Sequence, residues 1–504
     1  MTVSPSLFLE CRSSRHRVPR ERDADLVLLT SLRAVEPREE PRNPVDIVVV
    51  LDHSYSMLEG GKLELCKKTL AFMCREILGA DDRLGLVVFD SDVQVVYPCE
   101  KMTEANKERF LAKLKAVQVG SHTNLSAGVF QGLDVLKAVD SRSEVSALLV
   151  LSDGEITSGI TDRQKLRRMV TNMVASFQTS SKPTVHCFGY GATYDPILTD
   201  LAQDNAGMFY HVGDVEQVPL AFADTLGGLL HMAAQNVRVR IEVVGNGAKL
   251  VRSPLLKGPA IEPVSETVWN LKVRDIYIGE RKDLLVEIHL SKTDVEVAGG
   301  NVQVNVQMQY MDLIQEKQNT LQTSIVISRV KESEIVDSDI VTDVEIERQM
   351  IRLGIANALE EARVTAEQGN SSASVAKIDS QVAEVDRAMK RMQLDETRDP
   401  MLKDLMSDLR NARNILSASS SASPVQQSSA FRVMQSVAWS HANQRTNTVN
   451  DMLEQVRGLS DAVLSTQALG GEAASDVPTS TFSYNTASKQ RMLFKTKAAF
   501  GMDQ

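Results

Sequence analysis

The chain has little cysteine: Cys11, Cys66, Cys74, Cys99 and Cys187 are odd in number, scattered, and form no C-x-x-C pair. That excludes a zinc ribbon or a redox disulfide as the organising feature, and reduced thiols in a cytoplasmic protein are expected. No run of roughly eighteen apolar residues occurs, and MTVSPSLFLECRSSRHRVPRER has no basic stretch before its short apolar run, so neither a membrane span nor secretion is expected. An excess of positive charge is also missing: 56 lysines and arginines face 66 aspartates and glutamates, a formal charge of -10. Nucleic acid is therefore not expected as a principal partner. There is no G-x-x-x-x-G-K-[ST] phosphate loop, no G-x-S-x-G elbow, and GYGATYDP lacks the third glycine of a dinucleotide site.

What is present is ordinary globular material, 43% hydrophobic and 24% charged, in 504 residues. That length supports about two or three cores. From Val45, β-branched runs alternate with amphipathic stretches: DIVVVLD, KLELCKKTLAFMCREIL, RLGLVVFD, NKERFLAKLKAV, and so on to about Met232. This rhythm predicts an α/β domain over 45–232, a mostly parallel, doubly wound sheet wrapped by helices. Over 236–330 the period becomes two, in VRVRIEVV, TVWNLKVRDIYI, DLLVEIHL and NVQVNVQMQY, which predicts an antiparallel β-sandwich. Helical spacing follows over 341–416, with a turn at Gly369 and Asn370.

The ends are expected to be looser. Residues 1–22 read as a flexible tail; Arg12, Arg15, Arg17, Arg20 and Arg22 resemble a transit peptide, but Glu10 and Glu21 favour a solvated tail. ADLVLLTSLRAV, within 23–44, alternates like a strand without a local partner and is expected to pair in the distant sandwich that contains Trp269 and Ile276. Residues 417–504 read as a Ser-rich linker, a further helix and a partly disordered tail, with SKQRMLFKTKAAF solvated at its end. The sequons at Asn124 and Asn370 are treated as chance.

One stretch asks for a chemical explanation. IVVVLDHSYSM ends a buried run in Asp52, Ser54 and Ser56, and in an open parallel sheet ligands collect at such carboxyl ends. Thr123 in GSHTNLSAG and Asp153 in LLVLSDGE stand at equivalent places. Hydroxyls and carboxylates without His or Cys suit magnesium, manganese or calcium better than zinc. D-x-S-x-S alone would be equally at home as a strand-to-helix turn and cap.

D-x-S-x-S, then a loop threonine, then a strand-terminal Ser-Asp-Gly, resembles the metal-ion-dependent adhesion site (MIDAS) of von Willebrand factor type A (vWA) domains. The resemblance extends from Val45 to about Met232 and implies a Rossmann-like fold. It also implies that Ser54, Ser56 and Thr123 offer hydroxyls, that Asp52 and Asp153 ligate directly or through water, and that a partner's acidic side chain completes the shell. LKVRDIYIGERKDLLVEIHL and the helices after it resemble the Vwaint region of a vWA subfamily, some members of which append a RING finger or Hint module. This chain has too few cysteines for a RING.

His53, Tyr55 and His122 stand where the family commonly has small residues; they either read the partner as a rim or are tolerated loop residues. A cytoplasmic, non-catalytic adhesion or scaffold module that binds a partner Asp or Glu through Mg2+, or Mn2+ or Ca2+, is expected. The first alternative is an accessory or substrate-recruiting component of a ubiquitin-ligase system. The second is a hydrolase, with Ser54 and His53, or Ser152 and His186, as imaginable pairs in no recognised triad order.

Overall fold

The computed structural model describes residues 6–36, 42–153, 156–177, 182–190, 196–212, 218–252, 260–293, 300–395, 399–419, 424–445, 484 and 486–500. The chain forms two compact units: one takes in 1–39, 233–422 and 434–486, the other 40–232, 423–433 and 487–504.

The first unit opens with β1 (Leu7–Ser13), β2 (Arg17–Pro19) and β3 (Ala24–Ala34). Residues 1–22 are thus not a flexible tail over their described part. β1 pairs antiparallel with β3, and β2 runs parallel to a strand of the opposite sheet. The arginines that imitate a transit peptide face acidic residues: Arg17 lies 2.9 Å from Asp339 and Arg22 3.0 Å from Glu332.

The second unit is a six-stranded sheet. Its strands are β4 (Val45–Asp52), β5 (Arg83–Phe89), β6 (Val93–Lys101), β7 (Val145–Ser152), β8 (Thr184–Tyr190) and β9 (Phe209–Val212), in the order β6-β5-β4-β7-β8-β9. All pairings are parallel except β5 with β6. The helices α1 (Lys62–Phe72), α2 (Glu104–Ala116), α3 (Leu125–Lys137), α4 (Arg163–Ala175), α5 (Ile197–Asp204) and α6 (Val218–Leu230) alternate with the strands except that β5 leads directly into β6 and α2 is followed by α3. β4 and β7 are buried along their whole length, as expected of central strands covered on both faces. From β4 the chain winds outward to β5 and β6, then returns to build β7, β8 and β9 on the other side. The switch in strand order lies between β4 and β7.

Back in the first unit come β10 (Met232–Val244), β11 (Ala248–Val251), β12 (Ala260–Pro263), β13 (Val268–Tyr277), β14 (Arg281–Leu290), β15 (Val302–Asp312) and β16 (Lys317–Val330). They complete two sheets, β1-β3-β14-β11 and β12-β13-β10-β15-β16-β2. Leu26, Leu28 and Leu32 of β3 share a core with Trp269 and Ile276 of β13 and Val304 and Val306 of β15, so the two sheets form a sandwich.

A short helix α7 (Asp337–Ile340) precedes α8 (Val344–Glu367), α9 (Ser371–Met392), α10 (Pro400–Ser419) and α11 (Pro424–Asn443). Ile346 and Leu353 of α8 pack on Leu29 of β3 and Leu285 of β14. Gly369, at φ 83°, ends the first long helix, and the Asn370 side chain caps the second by accepting from the Ala373 amide at 3.2 Å. The expected Ser-rich linker is partly helix, with Pro424 at a first helical position where its missing N–H costs nothing.

The last element, α12 (Ala487–Phe500), corrects the solvated-tail expectation. It packs on α6 with Lys489, Ser488 and Thr496 buried, which explains why α6 is buried all round. The rest of 446–483 lies outside the described residues. Among the described residues no helix is long and apolar enough to cross a membrane, and all five cysteines are free.

Candidate functional site

The carboxyl ends of β4 and β7 deliver Asp52 and Asp153 to the switch point of the sheet, the edge at which open parallel sheets collect ligands. Asp52 closes β4. Its Oδ1 accepts from the Ser54 amide at 2.8 Å and its Oδ2 from the Ser152 hydroxyl at 2.6 Å. Ser54 and Ser56 place their hydroxyl oxygens 3.2 Å apart, and Ser56 donates to Asp153 Oδ1 at 2.7 Å. Four of the five ligand candidates are therefore linked in one chain of hydrogen bonds, the first of them through the Ser54 backbone amide. Asp52, Ser54, Thr123 and Asp153 are all buried, whereas Ser56 lies at the exposed mouth.

Thr123 reaches the same edge from the loop before α3. That loop is laced to the first one: the Gly120 amide donates to the His53 carbonyl at 2.7 Å, and the Tyr55 amide to the Ser121 carbonyl at 3.1 Å. On its other side the Thr123 amide donates to Thr157 Oγ1 at 2.9 Å, and its carbonyl accepts from the amides of Thr157 and Ser158. Asn124 caps α3 through the Ala127 amide, so threonine sits just outside the cap with its own side chain uncommitted to capping.

Burial pushes the Asp52 carboxyl up to about 6; hydrogen bonds from Ser152 and Ser54 pull it down, and the neighbouring charge of Asp153 adds to the upward push. Two buried carboxylates this close need a positive charge. One is already present: Lys62, the first residue of α1, places Nζ 2.6 Å from Asp153 Oδ2 and 3.4 Å from the Ser56 carbonyl. Gly60 and Gly61 direct it there, both at positive φ (65° and 72°), a conformation that glycine alone adopts without strain.

The donor set passes the chemical test for a hard cation, being two carboxylates and three hydroxyls. Among the described residues no group of three or more His, Cys, Asp or Glu side chains is placed to hold a metal ion, so the candidate set rests on its two carboxylates and three hydroxyls.

The three rim candidates fall apart into two kinds. His53 turns inward, with Nδ1 2.7 Å from the Gln118 carbonyl, and ties the two loops together. Tyr55 and His122 are exposed, Tyr55 to 71%. Leu58, on the same tight turn as Tyr55, is 57% exposed, an exposure that its sequence neighbours do not signal. The imaginable hydrolase pairs use their groups elsewhere: Ser152 donates to Asp52, while His186 Nε2 contacts Thr184 Oγ1 at 3.0 Å and its Nδ1 accepts from the Met208 amide.

Residues 46–224 match the von Willebrand factor type A domain family, and this stretch is a vWA domain, a type that typically mediates protein interaction. The chain is 27% identical over 265 residues to the E3 ubiquitin-protein ligase WAV3 of Arabidopsis thaliana, an alignment covering 52% of this chain and 33% of that protein. It thus spans about a third of the ligase's length. Two solved structures share the fold: a von Willebrand factor type A protein from Catenulispora acidiphila (TM-score 0.61, 13% identity, 86% of this chain and 96% of that one), and the ArnB paralog VWA2 from Sulfolobus acidocaldarius (TM-score 0.53, 16% identity, 86% and 99%).

Proposed function

We propose that the vWA domain is a divalent-cation-dependent protein-binding module in a non-catalytic, cytoplasmic adhesion or scaffold protein. Asp52, Ser54, Ser56, Thr123 and Asp153 would hold Mg2+, or Mn2+ or Ca2+, and a partner's Asp or Glu carboxylate would complete the shell. The single observation that carries this reading is the chain of contacts joining Asp52, Ser54, Ser56 and Asp153 at the switch point. When bound, the ion supplies a concentrated positive charge for the partner carboxylate.

The protein's own residues do the rest. Ser152 and the Ser54 amide fix both oxygens of Asp52, and Ser56 and Lys62 fix those of Asp153. Tyr55, Leu58 and His122 are exposed on the loops that carry Ser54, Ser56 and Thr123, and would form the rim. Titration calorimetry with Mg2+ and Mn2+ tests the reading on the full chain and on Asp52→Ala and Thr123→Ala. Both variants should lose binding while circular dichroism shows the fold intact; unchanged affinity would sink the site.

A second reading, an accessory or substrate-recruiting component of a ubiquitin-ligase system, is favoured by the likeness to WAV3. Affinity capture with and without chelator separates the two. Ubiquitin enzymes retained regardless of metal would favour the second reading, and partners released by chelator the first.

A further inference from the structure

Lys62 stands inside the candidate metal site, yet it contributes no oxygen to it. Its ammonium is 2.6 Å from Asp153 Oδ2, the carboxylate oxygen that Ser56 leaves free, and its side chain is 16% exposed against 1% for Asp153. The position is built rather than casual. Two consecutive left-handed glycines turn the chain so that the first residue of α1 points back at the end of β7. A Cβ on either glycine would meet no atom within 4 Å, so the pair serves the backbone path and not close packing.

We infer that Lys62 is a tethered cation that sets the affinity of this site for divalent ions, competing with the ion for Asp153 and repelling it by charge. The inference rests on the metal-binding reading above and deepens it. Asp52, Asp153 and Lys62 together carry one formal negative charge. An added divalent ion leaves the cluster with one positive charge, and a partner carboxylate neutralises it. Without the ammonium the ion-loaded cluster would already be neutral. Lys62 therefore works in two directions at once: it weakens ion binding alone and strengthens the pull of the loaded site on a carboxylate. Metal loading and partner capture become coupled, each favouring the other.

The test is a Mn2+ titration of the full chain at neutral pH, followed by the electron paramagnetic resonance of free Mn2+, on wild type, Lys62→Met, Lys62→Gln and Lys62→Arg. Removing the charge should tighten Mn2+ binding on the order of tenfold, since an ammonium a few ångströms from the ion opposes it strongly in a buried site. Lys62→Arg should bind as wild type does. The Mn2+-loaded neutral variants should also bind acetate more weakly than loaded wild type. Equal Mn2+ affinity across the four proteins overturns the role of Lys62 while leaving the metal site standing. Weaker binding in both neutral variants also overturns it, and would make Lys62 a residue that positions Asp153. No Mn2+ binding by any of the four removes the metal reading and this inference together. Melting in chelator provides the second readout: the neutral variants should melt below wild type there, because Asp153 loses its counter-charge, and should recover on adding Mn2+.

Discussion

Lys489 Nζ lies 2.8 Å from Asp224 Oδ2, with the two side chains only 2% and 1% exposed. The same aspartate oxygen accepts from the Tyr210 hydroxyl at 2.7 Å, so a residue near the end of the chain is wired into α6 and β9 of the vWA domain. Gly227 permits the approach: a Cβ there would stand 2.9 Å from Lys489 Cα. Helix α12 is thereby a structural part of the domain's surface layer.

Removing the ammonium from this pair strands a buried carboxylate, and Lys489→Ala should therefore cost about 3 to 5 kcal/mol in stability. Urea unfolding of the variant measures this. A loss under about 1 kcal/mol, the range of surface pairs, would show that the pair is hydrated in solution.

The α/β fold, and the gathering of Asp52, Ser54, Ser56 and Asp153 at one sheet edge, are legible where the signal is local. VDIVVVLD reads as a central strand because burial on both faces leaves no alternation, and its terminal oxygens follow from where parallel sheets place their loops. Lys62 was not legible, because its direction depends on two left-handed glycines that the pattern of apolar residues does not report. Nor were β1 and β2: Glu10 and Arg12 interrupt the short apolar run of LFLECRS, and the partners of Arg17 and Arg22, Asp339 and Glu332, stand more than three hundred positions away. Docking of α12 was illegible for the same reason, since Lys489 is indistinguishable from a solvated lysine until Asp224 is beside it.

Arg445 makes a second buried junction. Its guanidinium bonds both oxygens of Glu280 at 2.7 and 3.1 Å, reaches the Asp275 carbonyl at 2.7 Å, and lies over the Tyr277 ring. Burial pushes the Glu280 carboxyl up, but the charges of Arg445 and Lys282 outweigh it and hold it down to about 2. Arg445→Ala should cost about 3 to 5 kcal/mol, and Glu280→Gln in that background should recover part of it. A double-mutant cycle by urea unfolding gives the coupling, and additive losses would refute it.

Acid should weaken the vWA domain through His211. Burial, with the nearby charge of Arg432, lowers its pKa from 6.5 to about 4. The folded pKa is below the unfolded one, so between these values the unfolded chain binds more protons. The contribution is fully present above about pH 6.5 and is lost as pH falls toward 4, by at most about 3 kcal/mol. Unfolding free energies from pH 7 to 4.5 should fall less steeply for His211→Gln than for wild type.

Gly132→Ala tests how closely α3 lies on the sheet. The added Cβ would sit 2.4 Å from Val50 Cγ2 and 2.7 Å from Leu148 Cδ1, both in fully buried side chains on β4 and β7. Alanine gains about 1 kcal/mol in helix propensity. Overpacking against a stiff β-branched valine outweighs that gain, and a net loss of about 1 to 2 kcal/mol is expected. A raised Tm would mean that the helix shifts away from the sheet without penalty.

The rim residues separate holding an ion from reading a partner. Tyr55 is open to solvent, and its ring has no role in fixing Asp52 or Asp153, whose oxygens are held by Ser54, Ser152, Ser56 and Lys62. His122 is exposed beside Thr123, while His53 is spent on the Gln118 carbonyl. Tyr55→Gly and His122→Gly should therefore keep the Mn2+ affinity of wild type and weaken partner binding by about 1 to 2 kcal/mol each. His53→Gly should do the opposite in kind, loosening the loop that carries Ser54 and lowering metal affinity itself. Calorimetry with Mn2+ alone, then with the metal-dependent partner once captured, reads the two effects separately. Equal losses of metal and partner binding in the Tyr55 and His122 variants would mean that these side chains build the site rather than face its ligand.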